Sequence, residues 1–221
     1  MLWRRHDLYS IRLYNSFFMK RIPTDVFGEW AESGRDEKMA KGHEPAVNHM
    51  LDLAIGDQKQ FSFIDAGCGN GWVVRQAAKY PECVNAFGVD GAKQMVEKAR
   101  RLDAANSYVC ADLSQWKPNS AVDVVHSMEV IYYLDDPAAF LHNIYSSWLK
   151  PGGLLIVGLD FYEENKVSHS WPHDCDISIM RLMSEKTWVK MFKQAGFKNV
   201  NSLRFGAKKD WAGTLILKGI K

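Results

Sequence analysis

The 221-residue chain has few of the features that would place it in a specialised class. No apolar run approaches the roughly 20 residues a membrane-spanning helix requires, so the sequence does not read as a membrane protein. Cys68, Cys83, Cys110 and Cys175 are scattered with no CxxC pair, and three of them lie in apolar or glycine-rich surroundings. They read as reduced core thiols and point to a cytoplasmic protein, because small secreted domains use paired cysteines as cross-links. Neither sign of charge is in excess. With 28 Lys and Arg against 26 Asp and Glu, the net charge of +2 argues against nucleic acid as the main partner. Internal repeats, low-complexity tracts and a Pro/Ser-rich linker are also missing, which leaves one globular domain with an N-terminal extension. A chain of this length can bury roughly 70% of its unfolded surface and needs no disulfide or metal to fold.

The extension, MLWRRHDLYSIRLYNSFFMKRIP, is basic and rich in aromatics, with Arg4, Arg5, Arg12, Lys20 and Arg21 against Asp7. It lacks the unbroken apolar stretch and small-residue cleavage site of a secretory signal. The expectation is a helix packed over the domain, with an organelle transit peptide as the alternative. Residues 1–44 are assigned to a helical cap or substrate lid, and residues 45–221 to the domain itself.

From about residue 60, short apolar runs alternate with longer amphipathic ones. Strands are expected at Phe61–Ala66, Val84–Val89, Ser107–Cys110, Val122–Ser127, Leu154–Leu159, Val200–Phe205 and Thr214–Leu217. Helices are expected at Trp72–Lys79, Ala92–Leu102, Pro137–Leu149 and Ser184–Ala195. This alternation predicts an α/β fold with a mostly parallel sheet covered on both faces. The last two strands are too close for a parallel crossover and predict an antiparallel hairpin.

The stretch FIDAGCGNGW sets a glycine-rich turn between the first strand and first helix, where a ligand can approach bare backbone and the N–H groups at the helix start. It is not a dinucleotide fingerprint, because Trp72 stands where G-x-G-x-x-G requires its third glycine. Asp65 precedes the loop at the strand end, where it would repel a pyrophosphate but attract an ammonium or sulfonium. Asp90, closing AFGVD, can accept from both ribose hydroxyls, and Asp112, in CADL, from an exocyclic adenine amine. Val89, Met95 and Leu113 supply apolar flanks for a purine. Each of these carboxylates falls at a strand's carboxyl end, the edge where open α/β sheets bind ligands.

The segments FIDAGCGNG, FGVDGAKQMVEKAR, YVCADL, VDVVHSMEVIYYL and WLKPGGLLIV resemble the successive motifs of class I S-adenosylmethionine-dependent methyltransferases, particularly the broad group acting on small molecules. The resemblance covers roughly residues 45–160. It implies a Rossmann-like, doubly wound sheet of seven strands with the last antiparallel. It also implies S-adenosyl-L-methionine as cofactor, with Asp65, Gly67, Cys68, Gly69, Gly71, Asp90, Gly91, Met95, Asp112, Leu113 and Met128 around it. Gly91 stands where many relatives carry Ser or Pro. The fourth strand is followed by Ser127-Met128-Glu129-Val130 and not by the Asn/Asp-Pro-Pro-Tyr/Phe of amino-directed DNA, RNA and glutamine methyltransferases.

Methyl transfer from a sulfonium gains mostly from alignment of two bound reactants, with a base needed only for protonated acceptors. Glu129, just past the fourth strand, is the preferred carboxylate, with Tyr132 beside it as the second catalytic candidate. His126 reads better as a core residue. Asp160–Met183 is a long loop of the kind that covers substrates. Its His169 and Trp171, together with Tyr14, Trp30, Tyr133 and Asp160, are candidate acceptor contacts. H-x3-H-x-C at His169, His173 and Cys175 has no second ligand pair, so no metal is expected. The expectation is an O-, N- or S-directed small-molecule methyltransferase, monomeric or homodimeric. The alternatives are an RNA or protein methyltransferase guided by the basic arm and Lys208-Lys209, or a cofactor-binding regulatory subunit without turnover.

Overall fold

The computed structural model describes residues 20–56 and 59–221, so the basic arm through residue 19, with Tyr14, Phe17 and Phe18, lies outside the described residues. Among the described residues two helices come first, α1 (Pro23–Ser33) and α2 (Arg35–Ile55). Pro23 opens α1 with a φ already suited to a helix, and Gly34 ends it. The proposed boundary at residue 44/45 falls inside α2, which runs on unbroken into the domain.

Strand and helix then alternate through β1 (Phe61–Ala66), α3 (Trp72–Ala77), β2 (Cys83–Asp90), α4 (Lys93–Leu102), β3 (Ser107–Cys110) and β4 (Val122–Met128). After β4 come α5 (Pro137–Asn143), β5 (Leu149–Leu159), α6 (Trp171–Asp174), α7 (Glu185–Ala195), β6 (Lys198–Phe205) and β7 (Thr214–Ile220). The seven strands form one sheet in the order β3-β2-β1-β4-β5-β7-β6. β1 to β5 run parallel, and β7 pairs antiparallel with both β5 and β6. The expected hairpin is therefore present, with its second strand inserted next to β5 and its first at the sheet edge.

Alternation within β1 explains the two-sided core. Phe61 and Phe63 point into one layer with Val47, Met50, Leu51, Val74 and Val96, and Ile64 and Ala66 into the other with Trp148, Trp188 and Phe192. Both faces are dry, as crossover helices on a parallel sheet require, and each large apolar side chain buried there contributes about 1.5–3 kcal/mol. The expected helix Pro137–Leu149 departs from this regularity. Its α-helical part ends at Asn143, a π-helical turn spans Ile144–Trp148, and Leu149 already begins β5. That turn seats Trp148 fully in the core, against Phe140 at 5.7 Å and Trp116 at 4.8 Å.

The reading of the cysteines as core thiols holds for Cys68 alone: Cys83 and Cys175 are half-buried and Cys110 is exposed, and all four are free thiols. No helix among the described residues is long and apolar enough to cross a membrane.

Candidate active site

The strand order reverses between β1 and β4, so a crevice opens at the carboxyl ends of the parallel strands. A carboxylate stands at or just past the end of each of the five: Asp65, Asp90, Asp112, Glu129 and Asp160. A cavity of about 890 Å³ lies over this edge, bordered by the first four of these. Its size suits a nucleoside together with a small second reactant.

At one end of the cavity, the loop after β1 is shaped by internal bonds. Gly67 N and Cys68 N donate to the Val89 carbonyl at 2.7 and 3.1 Å, and Gly71 N to the Cys68 carbonyl at 2.9 Å. Gly69 N donates to Asp90 Oδ2 at 2.9 Å and Trp72 N to Asn70 Oδ1 at 3.2 Å. The expectation that this turn offers free N–H groups to a ligand is thus corrected for those five. The turn's contribution is close approach, with Gly67, Cys68 and Gly69 on the cavity wall. Gly71 does not border the cavity; it caps α3 against the Tyr108 ring. Val89, expected as a purine flank, is fully buried beneath the loop and acts through its carbonyl.

Asp90 takes Gly69 N–H on one oxygen and Ala92 N–H on the other, at 2.9 and 2.7 Å. Burial holds its carboxyl above the ordinary aspartate range, and the two N–H donors partly offset this. One lone pair remains on each oxygen for a vicinal diol. Asp65 is buried, with Oδ1 2.7 Å from His126 Nδ1 on the neighbouring strand. His126 is thus the core residue expected, yet it also fixes the orientation of Asp65. Gly91, Met95, Asp112, Leu113 and Met128 all border the cavity. Asp112 uses Oδ1 to hold Ser114 N–H at 2.9 Å.

The opposite end carries Glu129, which has a left-handed backbone (φ 59°) uncommon for a residue with a side chain. Its Oε2 accepts from Tyr132 OH at 2.6 Å, and its Oε1 accepts the Asp160 N–H. Burial first, and the Asp160 carboxylate second, push its carboxyl up to about 8 against the pull of His43. Tyr132 is fully buried behind Glu129 and does not border the cavity, so it holds the carboxylate instead of touching a ligand. His43, which the sequence gave no reason to single out, enters from α2 with Nε2 3.4 Å from Asp160 Oδ2. Burial pulls its imidazole down, but Asp160 and Glu129 outweigh this and hold it above the usual histidine value. Asp160 is buried and reaches the cavity only through these two partners.

Trp30, Tyr133 and Trp171 border the cavity. Phe27 joins the first two, with its ring 5.1 Å from Trp30 and 5.0 Å from Tyr133. Trp171 lies on Trp211 at 6.4 Å. His169 is corrected: it lies away from the cavity, its Nε2 3.1 Å from the Glu163 carbonyl. The loop that carries it is tied by a backbone bridge between Arg21 and Ile177 to the chain just before α1. Arg35 bends over the Trp30 ring at 4.0 Å, while Asp36 receives Lys98 Nζ at 2.9 Å and Asn70 Nδ2 at 2.6 Å. These last two bonds latch α2 to the glycine loop and α4.

An α/β sheet with a glycine loop and carboxylates along the carboxyl ends of its strands, opening into one cavity with an aromatic wall, has the form of a nucleoside-cofactor site. Residues 30–202 match the methyltransferase domain family, and the chain belongs to that family. Among curated relatives, it is 31% identical over 102 residues to malonyl-[acyl-carrier protein] O-methyltransferase of Halalkalibacterium halodurans, covering 43% of this chain and 37% of that protein. It is 29% identical over 129 residues to trans-aconitate 2-methyltransferase of an Enterobacter species, covering 58% of this chain and 50% of that protein. The chain thus matches half or less of the length of these relatives. A chain from a Haloferax volcanii complex between the Trm112 methyltransferase activator and a methyltransferase superposes with a TM-score of 0.77 at 28% identity, covering 88% of this chain and 96% of that one.

The cofactor of this family is S-adenosylmethionine, and the donor set fits it. Asp65 suits its ammonium, Asp90 its ribose, Asp112, Met95 and Leu113 its adenine, and the open side of Gly69 its backbone approach. When bound, it supplies an activated methyl group on a sulfonium.

Proposed function

We propose that the protein is an S-adenosylmethionine-dependent methyltransferase of small molecules, with the acceptor held between Glu129, Tyr133, Trp30 and Trp171. The observation that carries this reading is the continuity of the cavity, which joins the glycine loop and Asp90 to Glu129 and the aromatic wall without a break. The chain's residues would align two reactants and exclude water, and alignment alone is worth up to about 7–11 kcal/mol of barrier. Incubation with methyl-deuterated cofactor and a fractionated cell extract tests this. We expect mass spectrometry to find the label in the small-molecule fraction; label confined to RNA or protein would refute the acceptor class, and no label anywhere would refute the enzyme.

The Haloferax volcanii likeness supports a second element, that the chain works with an activator of the Trm112 kind. Co-purification with such a subunit, and higher turnover in its presence, is the expected outcome. Equal turnover without it would remove this element.

A further inference from the structure

We propose that the acceptor is an amine, which enters as an ammonium and loses its proton to the group formed by Glu129, His43 and Asp160. This rests on the reading of the cavity as a methyl-transfer site, and names the class of acceptor for it. Three observations carry it.

First, one ligand atom each from His43, Glu129 and Asp160 lies within 4.8 Å of the others, at the acceptor end of the cavity. Two carboxylates are thus gathered with one imidazole. Second, Asp160 is 4% exposed, and its Oδ1 has no hydrogen-bond partner among the described residues. Behind Glu129 thus stands a buried carboxylate short of donors, and a cation lodged against Glu129 offsets its charge across that short gap. Third, the facing wall is made of Trp30, Tyr133 and Trp171, whose ring faces attract cations. Among the cavity's described side chains Arg35 is the one guanidinium or ammonium, and it is already committed to the Trp30 ring. A carboxylate acceptor would therefore meet Glu129 with no uncommitted guanidinium or ammonium among the described side chains to hold it.

The ammonium R–NH3+ gives one proton to the Glu129 carboxylate and becomes R–NH2. The nitrogen lone pair forms a C–N bond to the methyl carbon as the C–S bond breaks. Its electron pair stays on sulfur, leaving neutral S-adenosylhomocysteine and the cation R–NH2+–CH3. Glu129 then passes its proton to solvent by way of His43, whose side chain is 17% exposed. A carboxyl that titrates near 8 is well matched to this exchange, because a lodged cation draws it back toward the carboxylate. The unliganded carboxyl shows in kcat/KM, which rises with pH and levels off above about 8, while kcat, set by the complex with the cation, levels off at lower pH.

The test locates the label. In the small-molecule product formed from methyl-deuterated cofactor, the fragment spectrum is expected to place the methyl on nitrogen. A methyl on oxygen, sulfur or a carboxylate would overturn the amine assignment and leave the methyltransferase reading standing, whereas no labelled product would sink both. Glu129→Gln keeps the side-chain shape and one of the two acceptances: its amide oxygen can take the Asp160 N–H while its NH2 donates to the Tyr132 oxygen. It should lower kcat about 100-fold, flatten the alkaline rise and leave affinity for S-adenosylhomocysteine within about threefold. An unchanged kcat would overturn the role of the group. So would loss of turnover with EDTA and its recovery with Mg2+, since a metal would then occupy the place assigned to the ammonium.

Discussion

Asp90→Ala is expected to weaken binding of S-adenosylhomocysteine about 1,000-fold while the protein still folds. Each oxygen of this carboxylate already receives one backbone N–H, from Gly69 at 2.9 Å and Ala92 at 2.7 Å, and so faces the ribose with its remaining lone pair. Two charge-assisted bonds to the diol, at about 1.5–3 kcal/mol each, sum to roughly 3–6 kcal/mol. A loss near 4 kcal/mol corresponds to about 1,000-fold in affinity. The fold survives because Asp90 closes β2, whose ladders to β1 and β3 do not depend on its side chain. Isothermal titration calorimetry reads the effect, and a loss below tenfold would remove Asp90 from the ribose site. Since burial holds this carboxyl above the ordinary range, affinity should also begin to fall on acidification at a higher pH than a surface aspartate would give.

A comparable loss is expected from Gly69→Val, for a different reason, and the neighbouring Gly67 provides the control. Both have positive φ, +52° and +80°, which costs a residue with a side chain about 1–2 kcal/mol. They differ in what a Cβ would meet. At Gly69 the nearest atom is Met95 Sδ at 3.8 Å, so a valine projects into the cavity and displaces the cofactor without disturbing the core. At Gly67 a Cβ would lie 2.2 Å from Val130 Cγ2, so the chain itself must move. Gly69→Val should therefore give a native circular-dichroism spectrum and no heat on titration with S-adenosylhomocysteine. Gly67→Val should lower Tm markedly. Equal destabilisation by the two, or retained binding in Gly69→Val, would contradict this account of the loop.

Much of this was legible in the sequence because it is local. Apolar runs of four to six residues marked the strands, and the residues that end them are where the ligand edge of a parallel sheet must be. Asp65, Asp90, Asp112, Glu129 and Asp160 were found by that rule. What escaped depends on packing between distant segments. His43 is one polar residue of a 21-residue helix, and only the docking of α2 brings it beside Asp160, 117 positions further along. Tyr132 and Tyr133 are adjacent and chemically alike, yet the turn at Ile131–Tyr133 buries the first behind Glu129 and sets the second on the cavity wall. His169 carried the right chemistry in the right loop, but its ring turns back to the Glu163 carbonyl. Nor could the loop's hydrogen bonds be read: the Val89 carbonyl that consumes two of its N–H groups belongs to the next strand.

In the proposed reading, the cavity over the carboxyl ends of β1, β2 and β4 holds the methyl donor with its reactive end toward Glu129. A crystal structure of the protein with S-adenosylhomocysteine tests it most directly. The expected result is the ribose diol within hydrogen-bond distance of Asp90, the amino group at Asp65 and the sulfur facing the space between Glu129 and Tyr133. A molecule bound elsewhere, or in the same cavity with its sulfur turned away from Glu129, would contradict it.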